Sequence, residues 1–196
     1  TSYEDVSRVM DGIDVVYHLG AAFQGGGPFT EDDYFQINVE GTFNMLKAAA
    51  AEENLRQFVF ASTDAVYAKY PQKGMKDPIR EDHLPRRPAG WYALSKSMGE
   101  DLCNGYWRTY TLPITILRFC MVVGAGEILD FRQFYLSRLK SRAELASLWD
   151  GEEKLLLLKD EEGRSYKKHI ADVRDIVHGC HCVLGSSKAA GETIQL

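Results

Sequence analysis

Short, β-branched apolar runs alternate with longer amphipathic segments along this chain. Asp14 to Leu19 (Asp-Val-Val-Tyr-His-Leu) and Gln57 to Ala61 (Gln-Phe-Val-Phe-Ala) are strand-length and continuously apolar, the pattern of strands buried on both faces. Pro113 opens a third such run, Ile114 to Arg118. Between the first two lies Thr30 to Glu53, where Tyr34, Ile37, Gly41, Met45 and Ala48 recur at helical spacing. Thr30 is placed to cap this helix, and Glu31, Asp32 and Asp33 suit the positive end of its dipole. A polar stretch with Pro71, Pro78, Pro85 and Pro88 precedes a second predicted helix, Trp91 to Tyr110. The order strand–helix–strand–helix–strand predicts an α/β fold: a doubly wound parallel sheet covered on both faces.

The pattern changes beyond Gly124. Asp130 to Leu148 is predicted helical. Lys154 to Lys159 and Ser165 to Ile170 flank Asp160-Glu161-Glu162-Gly163 as a hairpin. Asp172 to Leu184 reads as another helix, and Glu192 to Leu196 starts a further strand. No repeat, low-complexity run or Gly/Ser linker interrupts the chain. The change of style divides it into residues 1–123 and residues 124–196, the second part mixing the start of a smaller region with elements that return to the sheet.

Composition narrows the function classes. With 45% hydrophobic residues among 196, the chain has the means to bury a core. A net charge of −5 leaves no basic surplus to neutralise phosphates, so nucleic acid is not an expected partner. No run approaches the roughly 18 apolar residues of a membrane span, and the polar start, Ser2-Tyr3-Glu4-Asp5, is not a signal peptide. Cys103, Cys120, Cys180 and Cys182 lack the spacing of a disulfide framework and are read as reduced thiols, which predicts a cytoplasmic protein. His178, Cys180, His181 and Cys182 share one predicted helix. A zinc site needs three or four converging ligands, usually from more than one element, so no metal is expected.

Candidate chemistry centres on Tyr92-Ala93-Leu94-Ser95-Lys96. On a helix, residues i and i+4 share a face, so phenol and ammonium stand side by side. A neighbouring positive charge favours the phenolate and brings the tyrosine toward acid/base work on an alcohol–ketone pair. The strand Phe58-Val59-Phe60 ends in Ala61-Ser62-Thr63. That puts two hydroxyls at the carboxyl end of a parallel strand, where ligands bind in open α/β sheets.

Five short motifs occur in order: His18-Leu19-Gly20-Ala21-Ala22, Asn38-Val39-Glu40-Gly41-Thr42, Ser62-Thr63-x-x-Val66-Tyr67, Tyr92-x-x-x-Lys96, and Leu117-Arg118-Phe119 with Gly124. Together they resemble the extended short-chain dehydrogenase/reductases, the NAD-dependent epimerase/dehydratase family typified by UDP-galactose epimerase. The resemblance covers nearly the whole chain. It implies a Rossmann-like sheet, with residues 1–123 forming part of a dinucleotide-binding domain. It implies NAD or NADP as cofactor and a small-molecule substrate such as a sugar or nucleotide sugar. Thr63, Tyr92 and Lys96 match the family's catalytic Ser/Thr, Tyr and Lys. Tyr92 would exchange the hydroxyl proton while hydride moves to or from the nicotinamide, Lys96 would hold the ribose hydroxyls and depress the Tyr92 pKa, and Thr63 would orient the reacting oxygen. Leu19, Gly20, Ala21, Ala22, Asn38, Ser62, Tyr92, Lys96, Phe119 and Cys120 match cofactor-lining positions. The resemblance also implies a homodimer built on the helices Thr30–Glu53 and Trp91–Tyr110.

The departures are specific. The fingerprint G-x-x-G-x-x-G is not in this sequence. Gly25-Gly26-Gly27 is followed by Pro28, and Gly124-Ala125-Gly126 has Leu129 where a small residue belongs. The chain starts around the family's fourth strand. Met121 stands where nucleotide-sugar epimerases place a sugar-contacting Asn. Ala65 replaces the dehydratases' Glu base, although Asp64 resembles their neighbouring acid, and Ala68 replaces a glycine. Dehydration is thereby disfavoured. The alternative reading is a non-catalytic, dinucleotide-binding or regulatory protein that keeps the fold.

Overall fold

Strand β2, Gln57–Thr63, is buried at every position, and the rest of the molecule is arranged to cover it. The computed structural model describes residues 2–23, 28–67, 79–81, 85–127, 134–157, 159–165 and 169–196. The main sheet is parallel, in the order β1 (Val15–His18), β2, β3 (Ile114–Phe119), β6 (Thr193–Gln195). Its register pairs His18 with Phe60, Phe60 with Ile116 and Thr63 with Phe119. Because side chains alternate along a strand, β2 feeds two cores. Phe58 and Phe60 join Leu46, Ala49, Cys103, Ile114 and Ile116 on one face. Val59 joins Leu117, Val183 and Ala189 on the other.

Helix α1 (Tyr3–Met10), the helix that links β1 to β2, and α4 (Trp91–Tyr110) cover the first face. The linking helix runs without a break as α2 (Glu31–Tyr34), a π-helical stretch (Phe35–Glu40) and α3 (Gly41–Ala51). Thr30 caps it through a reciprocal box with Asp33. Helix α7 (Val173–Val183), capped by Asp172, covers the second face with Ile194 and Leu196. Two side chains of the sheet pin the segment after α7. Gln57 Nε2 donates to the Val183 carbonyl at 2.7 Å while its Oε1 accepts from Gly185 N at 2.8 Å, and Thr115 Oγ1 donates to the Ala189 carbonyl at 2.8 Å.

Several expectations change. The first strand is not buried throughout: Val16 is, but Tyr17 is exposed, because β1 pairs with β2 alone and so lies at the edge of the described sheet. Helix α1 was not among the expected elements, although Tyr3, Val6 and Met10 recur at helical spacing, Ser2 caps it by accepting from Asp5 N, and Glu4 and Asp5 occupy its first turn. In place of a long helix to Leu148, the described part holds two single turns, α5 (Leu136–Leu139) and α6 (Ala143–Ala146). Arg142, extended at ψ 128°, breaks the helical path between them. The expected hairpin survives as an antiparallel bridge between Lys159 and Ser165, closed by Asp160, whose carboxylate accepts from Glu162 N and Arg164 N. Three residues after β3, β4 (Met121–Val123), pair in parallel with β5 (Ile170–Asp172) as a separate two-stranded sheet. Residues Gly25 to Gly27, Ala68, Pro71, Pro78, His83 and Leu129 lie outside the described residues.

The spacing between β2 and α4 is set at Gly99. A Cβ there would lie 2.6 Å from Cζ of Phe60, closer than carbon atoms approach without contact. We therefore expect Gly99→Ala to destabilise the fold by about 1–3 kcal/mol, the usual cost of overpacking a filled core, read as a lowered denaturant midpoint. An unchanged midpoint would mean that the helix can move off the sheet freely.

Candidate active site

Three strand ends meet at the carboxyl edge of the sheet. Leu19 to Ala22 leave β1, Ser62 and Thr63 end β2, and Phe119 and Cys120 end β3. Topology thereby collects most of the residues singled out from sequence along one edge, where open α/β sheets bind ligands. Thr63 turns the chain out of the sheet: its hydroxyl accepts from Ala65 N at 3.2 Å and caps the short 3₁₀ turn Asp64–Val66. Gly90, with φ +83°, delivers the chain into α4, whose second residue is Tyr92. That φ favours glycine.

Burial raises the Tyr92 pKa above the usual tyrosine value, the nearby Thr63 side chain offsets part of this, and Asp64 and Tyr34 add to the rise. Tyr92 and Lys96 share the face of α4 that helical spacing predicts. Lys96, 3% exposed, turns its ammonium over the Phe60 ring, 4.2 Å from the centroid, and it is not among the groups acting on Tyr92. The i, i+4 relation fixes the face of the helix, whereas a long side chain on that face chooses its own partner; a ring face attracts a desolvated cation. Burial lowers the Lys96 pKa to about 8, against the opposing pull of Cys103 and Glu100.

Asn38 sits in the π-helical stretch, 2% exposed. Its Oδ1 accepts from Ala22 N at 2.8 Å, and its Nδ2 donates to the Ala22 carbonyl at 2.8 Å and to Ser95 Oγ at 2.9 Å. Ser95 Oγ in turn donates to the Tyr92 carbonyl at 2.9 Å. Asn38 thus ties the segment after β1 to the turn of α4 that carries Tyr92. Ser62 likewise faces inward, donating to Glu100 Oε1 at 2.6 Å. Leu19 is exposed, Ala22 and Cys120 are buried, and Phe119 packs against the α7 face.

A cavity of about 350 Å³ opens beside this edge, lined by His18, Gly20, Ala21, Ala22, Phe29 and Ile37 among others. A larger one, about 690 Å³, lies at the amino ends of the strands, between Val15, Gln57, Pro113 and Ser186. None of Thr63, Tyr92 or Lys96 lines either cavity. His178 Nε2 and Cys182 Sγ are 3.4 Å apart on the exposed side of α7, and among the described residues no three metal-ligating side chains converge.

The chain belongs to the NAD dependent epimerase/dehydratase family. The family model matches residues 1–196. A short-chain dehydrogenase/reductase superfamily protein from Agrobacterium tumefaciens, solved with bound NAD, is 36% identical and superposes with a TM-score of 0.84, over 98% of this chain and 62% of that one. The UDP-glucuronic acid 4-epimerase of Bacillus cereus, solved with UDP-glucuronic acid and NAD, is 25% identical with a TM-score of 0.72, over all of this chain and 58% of that one. An uncharacterized UDP-glucose epimerase of Bacillus subtilis, YtcB, is 28% identical over 98% of this chain, which spans 55% of it. The chain therefore spans a little over half the length of these relatives. No helix among the described residues is long and apolar enough to cross a membrane.

The family motifs included Arg118 without a role and did not point to Glu100 or Arg86; Glu100 accepts from Ser62, and both arginines reach its carboxylate. Their signal was present: Glu100 continues the Tyr92, Lys96 series by one more turn, and Arg118 interrupts an apolar strand.

His18 gives this edge a pH dependence. Its Nε2 is 2.9 Å from Thr42 Oγ1. Thr42 donates its own proton to the Asn38 carbonyl at 2.6 Å, so the imidazole is assigned as the neutral Nε2–H tautomer. Burial, then Lys96, lowers its pKa from 6.5 to about 4. The unfolded chain takes up this proton near 6.5 and the folded chain only near 4. Stability is thus full above pH 6.5 and declines as pH falls toward 4, by about 3 kcal/mol for this group. Unfolding free energies across that range should fall less steeply in His18→Gln; an equal slope in both proteins would remove His18 as the cause.

Proposed function

We propose that this chain carries the catalytic part of an enzyme that interconverts a hydroxyl and a ketone on a sugar or nucleotide-sugar-like substrate. The observation that supports this reading is the meeting of Thr63 and Tyr92 at the carboxyl edge of the sheet, with Lys96 one turn along the same helix. The residues present fit the nicotinamide end of a dinucleotide. A Cβ built at Gly20 meets nothing within 4 Å, so the chain after β1 presents an open, small-residue floor. Lys96 lies on the same edge, with N–H donors suited to ribose hydroxyls. Leu19 to Ala22 would run along the cofactor, and Phe119 and Cys120 would flank the nicotinamide. NAD is the first choice, because the relatives from Agrobacterium tumefaciens and Bacillus cereus were solved with it; NADP is the second. When bound, the nicotinamide supplies or accepts the hydride.

The protein's own share is proton transfer and placement. Tyr92, kept neutral by burial, gives its proton to a developing alkoxide in the reductive direction and takes one from the hydroxyl in the oxidative direction. Thr63 orients the same oxygen. The raised Tyr92 pKa suits donation and works against abstraction. That favours the second reading, a fold-retaining dinucleotide binder without turnover. For the substrate, the Bacillus cereus relative argues for a nucleotide sugar, and a uronate dehydrogenase of Pseudomonas syringae, 33% identical over 58% of this chain, argues for a free sugar acid.

Two outcomes test the reading. Tyr92→Phe should lower turnover by ~10²–10⁴ while leaving NAD affinity nearly unchanged. The assay follows nicotinamide absorbance in the full-length protein with UDP-glucose, UDP-glucuronate and free uronates, beside calorimetry with NAD and NADP. Wild-type activity in the Phe variant would sink the role of Tyr92, and no turnover in either protein would favour the non-catalytic reading. We also propose a homodimer through α3 and α4. Phe43 and Tyr110 are exposed on these helices, and both rings contact Tyr106; aromatic side chains are enriched at such interfaces. Sedimentation should give a dimer at micromolar concentration; a monomer would count against it.

A further inference from the structure

The helix that carries Tyr92 and Lys96 holds a third polar residue on the same face, Glu100, one turn further on. It is 1% exposed. Its carboxylate accepts from Ser62 Oγ at 2.6 Å, from Arg118 Nε at 2.8 Å and from Arg118 Nη2 at 2.6 Å, with Arg86 Nη1 at 3.4 Å. Arg118 extends the network by donating from Nη1 to the Tyr67 hydroxyl at 2.7 Å. One carboxylate therefore joins the end of β2, the residue after its 3₁₀ turn, α4 and β3. A buried Arg–Glu pair is on average no more stabilising than apolar side chains of the same volume. Stability alone does not account for placing one here, in contact with the residue before Thr63.

We propose that Glu100 is a positioning residue: through Ser62 it locks the strand end that bears Thr63 onto the helix that bears Tyr92, and its negative charge, one helical turn from Lys96, helps keep that ammonium protonated. This rests on the catalytic reading above. Lys96 is faced by His18 from β1, by the Phe60 ring from β2, and by Cys103 and Glu100 from its own helix. His18 is neutral above pH 6.5. The Cys103 thiol is pushed far up by burial and stays neutral as well. Glu100 is then the anion that opposes the desolvation of Lys96, and without its charge Lys96 loses its proton at a lower pH.

The test is an NMR titration of Lys96, in protein labelled at lysine Cε, beside kcat and KM in the full-length enzyme. In Glu100→Gln the Lys96 midpoint should fall by about half a unit or more. Turnover should fall between about 10- and 100-fold, the scale of a small misplacement of reacting groups, with KM for NAD little changed. Ser62→Ala cuts only the link to the strand, and should lower kcat while leaving the Lys96 midpoint in place. Should Glu100→Gln not fold, adding Arg118→Met removes the buried guanidinium that Glu100 paired, and the Lys96 midpoint should fall in the same direction. An unmoved midpoint, or wild-type kcat, overturns the proposal, and a lower melting temperature with both unchanged assigns Glu100 a purely structural role. If Tyr92→Phe proves fully active, the catalytic reading fails, and the titration still decides the Lys96–Glu100 coupling because it needs no turnover.

Discussion

The close approach of α4 to β2 is the constraint on which this molecule depends. It occurs where Gly99 meets the Phe60 ring, with no room for a single extra carbon. Phe60 also packs in the main core and lies under the Lys96 ammonium. The contact that seats the helix is therefore the contact that places the charge. Tyr92, two turns earlier on α4, reaches Thr63 because that distance is fixed. A helix held even slightly further from the sheet would leave the phenol, the threonine hydroxyl and the ammonium as three unrelated surface groups.

Polar side chains then tie the edge together where apolar packing cannot specify orientation. On the β1 side, Asn38 holds both backbone groups of Ala22 and reaches Ser95, while Thr42 links the Asn38 carbonyl to His18. The π-helical stretch that holds Asn38 is a departure from regular geometry of the kind that recurs at functional positions. On the β3 side, Glu100 collects Ser62 and Arg118. The two networks flank the Tyr92–Lys96 face of α4 from opposite directions. Each is buried, so each of their groups must find a partner, which makes their geometry stringent.

Much of the fold was legible. The limits of α4 were readable because its periodicity is long and its ends are marked, by Gly90 before and Pro113 after. The parallel sheet followed from β2 and β3, whose apolar runs alternate with helices. Helix α1 was missed because it is short and carries only Met10 as a fully buried residue. The β4–β5 pair was missed because three-residue strands have no period to detect, and their pairing joins residues far apart in the chain. Asp130 to Leu148 read as one helix because composition cannot show that Arg142 is extended.

The sequence by itself determined which residues share a helix face, which strands are apolar and which motifs occur in order, because these are local properties of spacing and side-chain type. That was enough for the family and for Thr63, Tyr92 and Lys96 as the residues of interest. Only the tertiary structure decided what those side chains touch. Helical spacing placed Lys96 on the face of Tyr92, and packing laid its ammonium over the Phe60 ring. Only the fold brought Glu100 within 2.6 Å of Ser62. A side chain's partner depends on which distant segments the core draws together, and on where burial leaves a charge without water, and neither is written in the spacing of any single stretch.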